Sequence, residues 1–276
     1  MAKITAAEVN KLRKQTGAGM MDCKKALTEA EGDFDKAVQI IREKGMAVAS
    51  KRSDREASEG VVLAKTSDDN KKGFIISLNC ETDFVAKNDD FVGFAEKILT
   101  LASDKQPANL DELKALDLDG KPLADHIVEQ TGVIGEKIDL SYFDSVTAEQ
   151  VAAYIHGDKK LATLVGLTKA GIDEQVGKDV AMQVAAMNPV AVDKDQVPQE
   201  VIDQEMEIGK NQALAEGKPE NLVEKIAMGK LNKYFKENTL LNQDFIKEGK
   251  MSVKAYLETV DKDLSVSEFK RYSLKQ

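Results

Sequence analysis

A repeated order of short apolar runs and longer helical patterns constrains the middle of this chain. A turn-rich segment at residues 67–73 separates two apolar runs, and an apolar pattern with helical spacing follows at 91–102. Strand, turn, strand and helix then recur over 153–187, with the turn at 156–160. Because such hairpins pair locally and a helix can cover one face of the sheet, we predict an α+β fold with a duplicated core and antiparallel sheets.

A compact helical module precedes the repeat. Thr5 and Glu8 form a capping-box pattern at the start of the first helix, and glycines interrupt the helical spacing twice after it. Apolar residues recur at three- and four-residue intervals within each of the three segments. We therefore predict a three-helix domain over residues 1–50, followed by a polar linker over 51–59.

Two helical patterns joined by a Gly-Lys-Pro turn follow the repeat. Each has a narrow apolar seam, which predicts an antiparallel helical hairpin over residues 199–231. The other predicted units are a first core subdomain at 60–144, a second core subdomain in two parts at 145–198 and 232–263, and a short C-terminal tail at 264–276.

The charge and the residue types exclude several classes of function. The chain of 276 residues has 48 acidic against 39 basic residues, a net charge of -9. Sequence-independent nucleic-acid binding needs Lys and Arg to neutralise phosphates, so we expect no direct nucleic-acid partner. Two cysteines without a CxxC spacing and two histidines form no metal-ligand pattern. We therefore expect neither a metal nor a cofactor.

The amino-terminal residues carry no export signal. Met1 to Thr5 contain no apolar signal core, and no stretch of the chain approaches ~18 consecutive apolar residues. The two cysteines, Cys23 and Cys80, lie far apart and suit a compartment that keeps thiols reduced. These features predict a protein that is not exported, has no membrane partner and is cytoplasmic.

Thr82, Asp83, Phe84 and Val85 lie between the end of an apolar strand pattern and the following helix pattern. An acid beside an aromatic ring suits a surface that enters a partner: the ring fills an apolar crevice and the acid changes the charge next to it. A second interpretation fits the local pattern equally well. If Thr82 caps a helix, Phe84 shares a face with Phe91 and belongs to the core, and Asp83 suits the helix dipole. The second half of the repeat has no Asp-Phe step, which favours a functional role.

No group of residues has the spacing of a catalytic site. Cys80 has no basic neighbour in the sequence that would lower the pKa of its thiol. We therefore predict that the protein is not an enzyme. Two rival interpretations stay open: an enzyme that depends on Cys80, and a non-catalytic helical scaffold that binds peptides or ubiquitin-like partners.

Two long motifs give the chain a family resemblance. The first is Leu12-Arg13 followed by residues 16–27 (TGAGMMDCKKAL), and the second is residues 79–88 (NCETDFVAKN). In this order they resemble bacterial elongation factor Ts, along nearly the whole chain. The resemblance implies a ubiquitin-associated-like (UBA-like) domain over the three helices, a duplicated core and a coiled-coil hairpin. It also implies a guanine-nucleotide exchange factor that binds the GDP form of the translational GTPase elongation factor Tu and promotes GDP release, so that GTP can bind.

The resemblance also implies which residues touch the GTPase. The family's Asp-Phe pair, which disturbs the Mg²⁺ site of the GTPase, corresponds to Asp83 and Phe84, flanked by Thr82 and Val85. The hairpin is a candidate surface for a homodimer or a 2:2 complex with the GTPase. The other implied contacts are Met20, Met21, Lys24, Ile134, Gly135, His156, Phe245 and Ile246.

Overall fold

The computed structural model describes residues 4–274, and its contacts divide the chain into two compact units. Among the described residues, the first unit comprises 4–63, 75–144 and 273–274, and the second comprises 64–74 and 145–272. The described chain combines α-helices with small antiparallel sheets. The predicted mixed helix-and-sheet class is therefore confirmed.

Three helices at the start of the first unit enclose a small core. They are α1 (Ala6–Thr16), α2 (Met20–Glu29) and α3 (Phe34–Arg52). The predicted capping box is present, because the hydroxyl of Thr5 accepts from the Glu8 backbone while the Glu8 carboxylate accepts from the Thr5 backbone. Gly17 ends α1 at a φ of 70°, a left-handed conformation that glycine adopts without a steric penalty. The buried core residues include Val9, Leu12, Cys23, Ala26, Leu27 and Ala37.

A sheet and four further helices follow in chain order. The elements are β1 (Glu59–Thr66), β2 (Lys72–Cys80), α4 (Asp83–Ala86), α5 (Asp89–Lys105), α6 (Leu110–Ala115), β3 (Asp117–Leu118), β4 (Lys121–Pro122), α7 (Leu123–Ile134) and β5 (Asp139–Thr147). The strand order β1-β2-β5 places β2 in the centre. All residues of β2 after Lys72 are buried. Helix α5 contains the helical pattern predicted at 91–102.

Helices α3 and α7 approach each other at two glycines of the first unit. A Cβ atom placed on Gly132 would lie 2.3 Å from the Cα atom of Gly45. Real Cβ atoms do not approach backbone atoms that closely, so a larger residue would force the two helices apart. The long third helix is thereby packed against α7 rather than being an isolated part of a three-helix module.

The second unit repeats the order of hairpin and helix. Its elements are β6 (Gln150–Ile155), β7 (Leu161–Leu167), α8 (Glu174–Met187), α9 (Gln199–Ala215), α10 (Glu220–Asn238), β8 (Asp244–Phe245), β9 (Glu248–Ser252), α11 (Val253–Val260) and β10 (Val266–Ser273). Strands β6 and β7 pair antiparallel, with Gln150 opposite Leu167 and Ile155 opposite Ala162. A hairpin followed by a helix thus occurs twice along the chain, as the repeat predicts.

Helices α9 and α10 form a helical hairpin around a four-residue loop at 216–219. At its centre a Cβ atom on Gly209 would lie 3.0 Å from the Cα atom of Ala227. Small residues at this point allow the two backbones to approach closely. The hairpin is longer than the sequence pattern indicates, because α10 continues to Asn238. Its buried residues are Gly209, Ala213, Val223, Ala227 and Leu231.

The segment 264–276, predicted as a tail, contains the edge strand of a sheet within its described part. Strand β10 pairs with β7 at one edge of a sheet with the order β10-β7-β6. Leu264 and Val266 are buried in the core of the second unit. The structure differs from the prediction because only the first residue of β10, Val266, is buried, so the strand lacks the apolar pattern of a buried strand.

Candidate functional site

Residues 82–85 form the start of the four-residue helix α4, directly after strand β2. The backbone of Thr82 is extended, and its hydroxyl accepts a hydrogen bond from the Val85 nitrogen at 3.4 Å, so Thr82 is the N-cap. Phe84 is 83% exposed, more than any other large apolar residue within 4–274. The phenyl ring therefore projects from a capped turn into solvent.

The exposure of Phe84 follows from the early end of α4. The helix stops at Ala86, and Asn88 starts α5 with its own side-chain cap. This break takes Phe84 out of phase with Phe91, which is buried in the core. The sequence left two interpretations of Phe84 open, and the structure combines parts of both. Thr82 is a helix cap, as the core interpretation assumed, yet the ring lies at the surface.

Asp83 occupies the first position of α4 and forms an ion pair with Lys87. The two side chains are 2.7 Å apart between Oδ2 and Nζ, and both are substantially exposed. Exposed pairs with this helical spacing contribute only about 0.3–0.5 kcal/mol. The pair with Lys87 therefore adds little to the stability of the turn.

Glu81, the residue before the turn, is connected to the end of α3. Its carboxylate accepts hydrogen bonds from the Lys137 nitrogen at 2.6 Å and from Arg52 at 2.7 Å, and Arg55 lies 3.7 Å away. The Lys137 hydrogen bond, and after it Arg52, lower the pKa of Glu81 despite the opposing effect of burial. Glu81 is therefore ionised at neutral pH and ties part of the predicted linker to the strand end.

Cys80 lies beneath the turn and supports it. The buried thiol donates a hydrogen bond to the carbonyl oxygen of Thr82 at 3.2 Å. Burial, followed by the negative charge of Glu136, raises the pKa of Cys80 to about 12. Such a thiol stays protonated at neutral pH, and the thiolate is the nucleophilic form. This environment argues against an enzyme that depends on Cys80.

The first unit carries five more of the predicted contact residues. Met20 and Met21 start α2 and are 52% and 63% exposed, and Lys24 is exposed one turn later. Ile134 ends α7 and is half-buried, while Gly135 terminates that helix at a φ of 80°. A Cβ atom on Gly135 would meet no atom within 4 Å, so backbone conformation rather than crowding favours glycine there.

The second unit carries the remaining three. His156 lies in the turn after β6, with Nδ1 2.9 Å from an oxygen of Asp158, and its side chain is exposed. Phe245 is buried and its ring stacks on Tyr256, with the ring centroids 4.2 Å apart. The adjacent Ile246 is 44% exposed. Of this neighbouring pair, only Ile246 presents its side chain at the surface, because the Phe245 ring fills the core.

Two further properties concern residues 4–274 alone. No helix in this range is both long enough and apolar enough to cross a lipid bilayer. Within the same range, His, Cys, Asp and Glu side chains do not gather in groups of three or more that could hold a metal ion.

Comparison with known proteins connects these features to one family. A family model described as elongation factor TS matches residues 81–276. The chain is 54% identical over 276 residues to elongation factor Ts of Christiangramia forsetii, an alignment that covers 99% of this chain and 100% of the relative. It is 52% identical over 274 residues to that of Porphyromonas gingivalis (98% of each chain) and 50% identical over 277 residues to that of Cytophaga hutchinsonii (99% and 100%). The chain belongs to the elongation factor Ts family.

Membership of the elongation factor Ts family extends over both units, because the relatives align with nearly the whole chain. The matched region of the family model starts at Glu81 and therefore includes the turn at 82–85. The motif at residues 16–27 precedes that region and falls within the full-length alignments to the relatives. The resemblance predicted from the two motifs is confirmed.

Sequence reasoning missed the residues of this elongation factor Ts family member that hold the turn in place. Glu136 is hydrogen-bonded to Thr82, which lies 54 residues away in the sequence, and Glu81 is hydrogen-bonded to Lys137, which lies 56 residues away. Pairs so far apart leave no periodic pattern in a single sequence. The sole local signal is an acidic residue directly after Gly135, which ends a helix.

Proposed function

We propose that this member of the elongation factor Ts family is a guanine-nucleotide exchange factor of translation elongation. It binds elongation factor Tu in its GDP form in the cytoplasm and promotes GDP release, so that GTP can bind. It does so by binding alone and is not an enzyme in the sense of making or breaking covalent bonds. The observation that carries the proposal is the 83% exposure of Phe84 on a capped and anchored turn.

The exposed ring gives the turn a source of binding energy. Burying a phenylalanine side chain is worth roughly 1.5–3 kcal/mol. The folded chain does not gain this energy from Phe84. Because α4 ends at Ala86, the ring does not join the buried face of the following helix. Single exposed apolar residues are common, and Phe84 differs from them in combining an ordered cap, an adjacent acid and an outward ring. Insertion into an apolar crevice of the GTPase would recover the energy on binding.

The proposed mechanism acts on the metal site of the GTPase. Bound nucleotide is held by a phosphate loop and by Mg²⁺ that bridges its phosphates. Mg²⁺ demands nearly ideal octahedral geometry, so a shift of the groups around it weakens nucleotide binding. Phe84 enters between helices of the GTPase and displaces them. Asp83, which only accepts hydrogen bonds when ionised, competes for the groups that orient the metal.

Thermodynamic linkage completes the mechanism. If the factor weakens nucleotide binding by a given ratio, nucleotide weakens binding of the factor by the same ratio. The ternary complex is therefore less stable than it would be if the two ligands bound independently, and it loses either GDP or the factor. GTP that enters the empty site then releases the factor by the same coupling.

The remaining contacts proposed for the GTPase lie at several positions of both units. Phe245 belongs to this set through its packing, because its stacked ring supports the chain at Ile246, whose side chain is the exposed one. The proposed surface contacts are Met20, Met21, Lys24, Ile134, Gly135, His156 and Ile246, together with Thr82 and Val85 beside the Asp-Phe pair.

Stopped-flow release of a fluorescent GDP tests the proposal. Elongation factor Tu is loaded with the labelled nucleotide and mixed with excess GDP and increasing concentrations of wild-type factor, Phe84→Ala or Asp83→Ala. We expect Phe84→Ala to lower the stimulated rate by about 10- to 150-fold, the equivalent of losing roughly 1.5–3 kcal/mol of aromatic burial. Val260→Ala is the matched control, since Val260 is an exposed apolar residue of α11 outside the proposed contacts.

Two outcomes contradict the proposal. One is wild-type factor that leaves the GDP release rate at its spontaneous value. The other is a folded protein with both Asp83→Ala and Phe84→Ala that still stimulates release as wild type does. Circular dichroism spectra and thermal melting of each variant separate a lost contact from a lost fold.

We further propose that the three-helix domain is UBA-like and that the α9–α10 hairpin acts as a coiled-coil dimerisation surface. The hairpin would support a homodimer or a 2:2 complex with the GTPase. Native mass spectrometry of the factor with its cognate GTPase measures this directly. A complex with one copy of each protein at all concentrations would contradict the dimer.

A further inference from the structure

We propose that Glu136 is a positioning residue that sets the orientation of the turn carrying Asp83 and Phe84. The inference deepens the proposed exchange function and rests on it for its kinetic test. Glu136 follows Gly135 at the end of α7 and is half-buried. It acts through Thr82 and not by touching the nucleotide.

Both carboxylate oxygens of Glu136 bind the same residue. Oε2 accepts a hydrogen bond from the Thr82 nitrogen at 3.0 Å, and Oε1 accepts one from the Thr82 hydroxyl at 2.7 Å. That hydroxyl in turn accepts from the Val85 nitrogen. A threonine hydroxyl has a single hydrogen, so its donation to Glu136 directs a lone pair towards the Val85 N–H. The carboxylate therefore determines the geometry of the helix cap as well as the position of Thr82.

Helix α4 cannot orient itself. Its four residues are far fewer than the ~12–15 that an isolated helix needs for stability in water. Of those residues only Ala86 is buried, and the Phe84 ring packs least of all. The direction of the turn is therefore decided at its two ends, where Ala86 enters the core and Thr82 is held by Glu136.

A second carboxylate, that of Glu81, connects the same two segments in the opposite direction. Glu81 accepts from the Lys137 nitrogen at 2.6 Å, next to the bond from Thr82 to Glu136. Residues 81–82 and 136–137 are thus joined by two reciprocal connections within the first unit. Because Ile134 and Gly135 immediately precede them, Glu136 also sets the spacing between two proposed contact elements.

Amide hydrogen exchange of the whole protein tests, without a GTPase, whether Glu136 holds Thr82 in place. In Glu136→Ala the Thr82 amide loses its acceptor, and we expect it to exchange at least about tenfold faster than in wild type, whereas amides of α5 keep their protection. Glu136→Gln retains the reach and one acceptor oxygen and should give an intermediate rate. Unchanged exchange of the Thr82 amide in Glu136→Ala would overturn the proposal.

A double-mutant cycle tests whether Glu136 works through the Asp-Phe turn. We expect Glu136→Ala alone to lower the maximal stimulated rate of GDP release by about tenfold, since displacement of a positioned group by an ångström can cost up to about 100-fold. In the Phe84→Ala background the same change should cost clearly less than in the wild-type background, because the ring that Glu136 positions is already absent and only its effect on Asp83 and the neighbouring contacts remains. Glu136→Gln should recover part of the wild-type rate.

The controls separate this inference from the exchange proposal. Glu174→Ala removes an exposed carboxylate paired with Lys178 in the second unit and should leave the rate unchanged. A wild-type factor without stimulating activity would refute the nucleotide-exchange function. Hydrogen exchange of the Thr82 amide would still show whether Glu136 holds Thr82 in place. If wild type is active, a full rate in Glu136→Ala, or an equal loss with and without Phe84, would refute the positioning role alone.

Discussion

Phe84 and Phe91 lie on either side of the helix break at Asn88, and the first is 83% exposed whereas the second is 2% exposed. In one continuous helix their seven-residue spacing would place them on the same face. Because of the break, Phe84 does not share the buried face on which Phe91 lies. The consequence is an exposed ring that contributes almost no folding energy.

This contrast predicts that two equivalent substitutions differ greatly in their effect on stability. Phe84→Ala should change the free energy of unfolding by less than about 0.5 kcal/mol, because the ring has little to lose in the folded state. Phe91→Ala should destabilise the protein by about 3–5 kcal/mol through lost burial and a cavity. Urea unfolding followed by circular dichroism measures both. Comparable destabilisation by the two variants would mean that the Phe84 ring packs in the core.

Removal of Lys87 should have a small effect. Lys87→Ala breaks the ion pair with Asp83, which is worth about 0.3–0.5 kcal/mol at an exposed helical spacing. We expect thermal unfolding to shift slightly downward and stimulated GDP release to change by no more than about twofold. Measurement at low and high salt provides the control, since the difference in stability should shrink as salt screens the pair. A loss of activity above about tenfold would instead make Lys87 a contact of the GTPase.

The connection at Glu81 should make stability depend on pH. The Lys137 amide and Arg52 lower the pKa of Glu81 in the folded state below the ~4.3 of a free glutamate. The carboxylate therefore stabilises the fold above about pH 4.3, and this contribution disappears as the pH falls through the lowered pKa. Glu81→Gln should be less stable than wild type by about 1 kcal/mol near pH 7. Urea unfolding at a series of pH values should show the difference narrowing in acid, and a constant difference would contradict it.

Two glycines predict opposite signs for the same substitution. Gly132→Ala in α7 places a Cβ atom 2.3 Å from the backbone of Gly45, so α3 and α7 must separate, and we expect a destabilisation of about 1–3 kcal/mol or more. Gly229→Ala in α10 meets no atom within 4 Å and should stabilise the helix by about 0.5–1 kcal/mol. Differential scanning calorimetry of the two variants decides the matter. A neutral Gly132→Ala would show that the two helices are free to move apart.

Local physics made much of this protein predictable from its sequence. The capping box at Thr5 and Glu8, the turn between β6 and β7, and the helical spacing at 91–102 in α5 depend on hydrogen bonds and spacings within a few residues. Periodicity therefore revealed the helices, the hairpins and the repeat. The two long motifs, being specific in their order, revealed the family.

Contacts between distant segments decided the rest. Strand β10 exists because β7 offers an edge to pair with, and the stacking of Phe245 on Tyr256 removes from the surface a ring that the resemblance implied as a contact. The same holds at the turn itself. The sequence placed an acid and a ring at 83 and 84 but left the direction of the ring open. That direction depends on Glu136 and on the break before α5, because a single helical turn has too little energy of its own to orient a side chain.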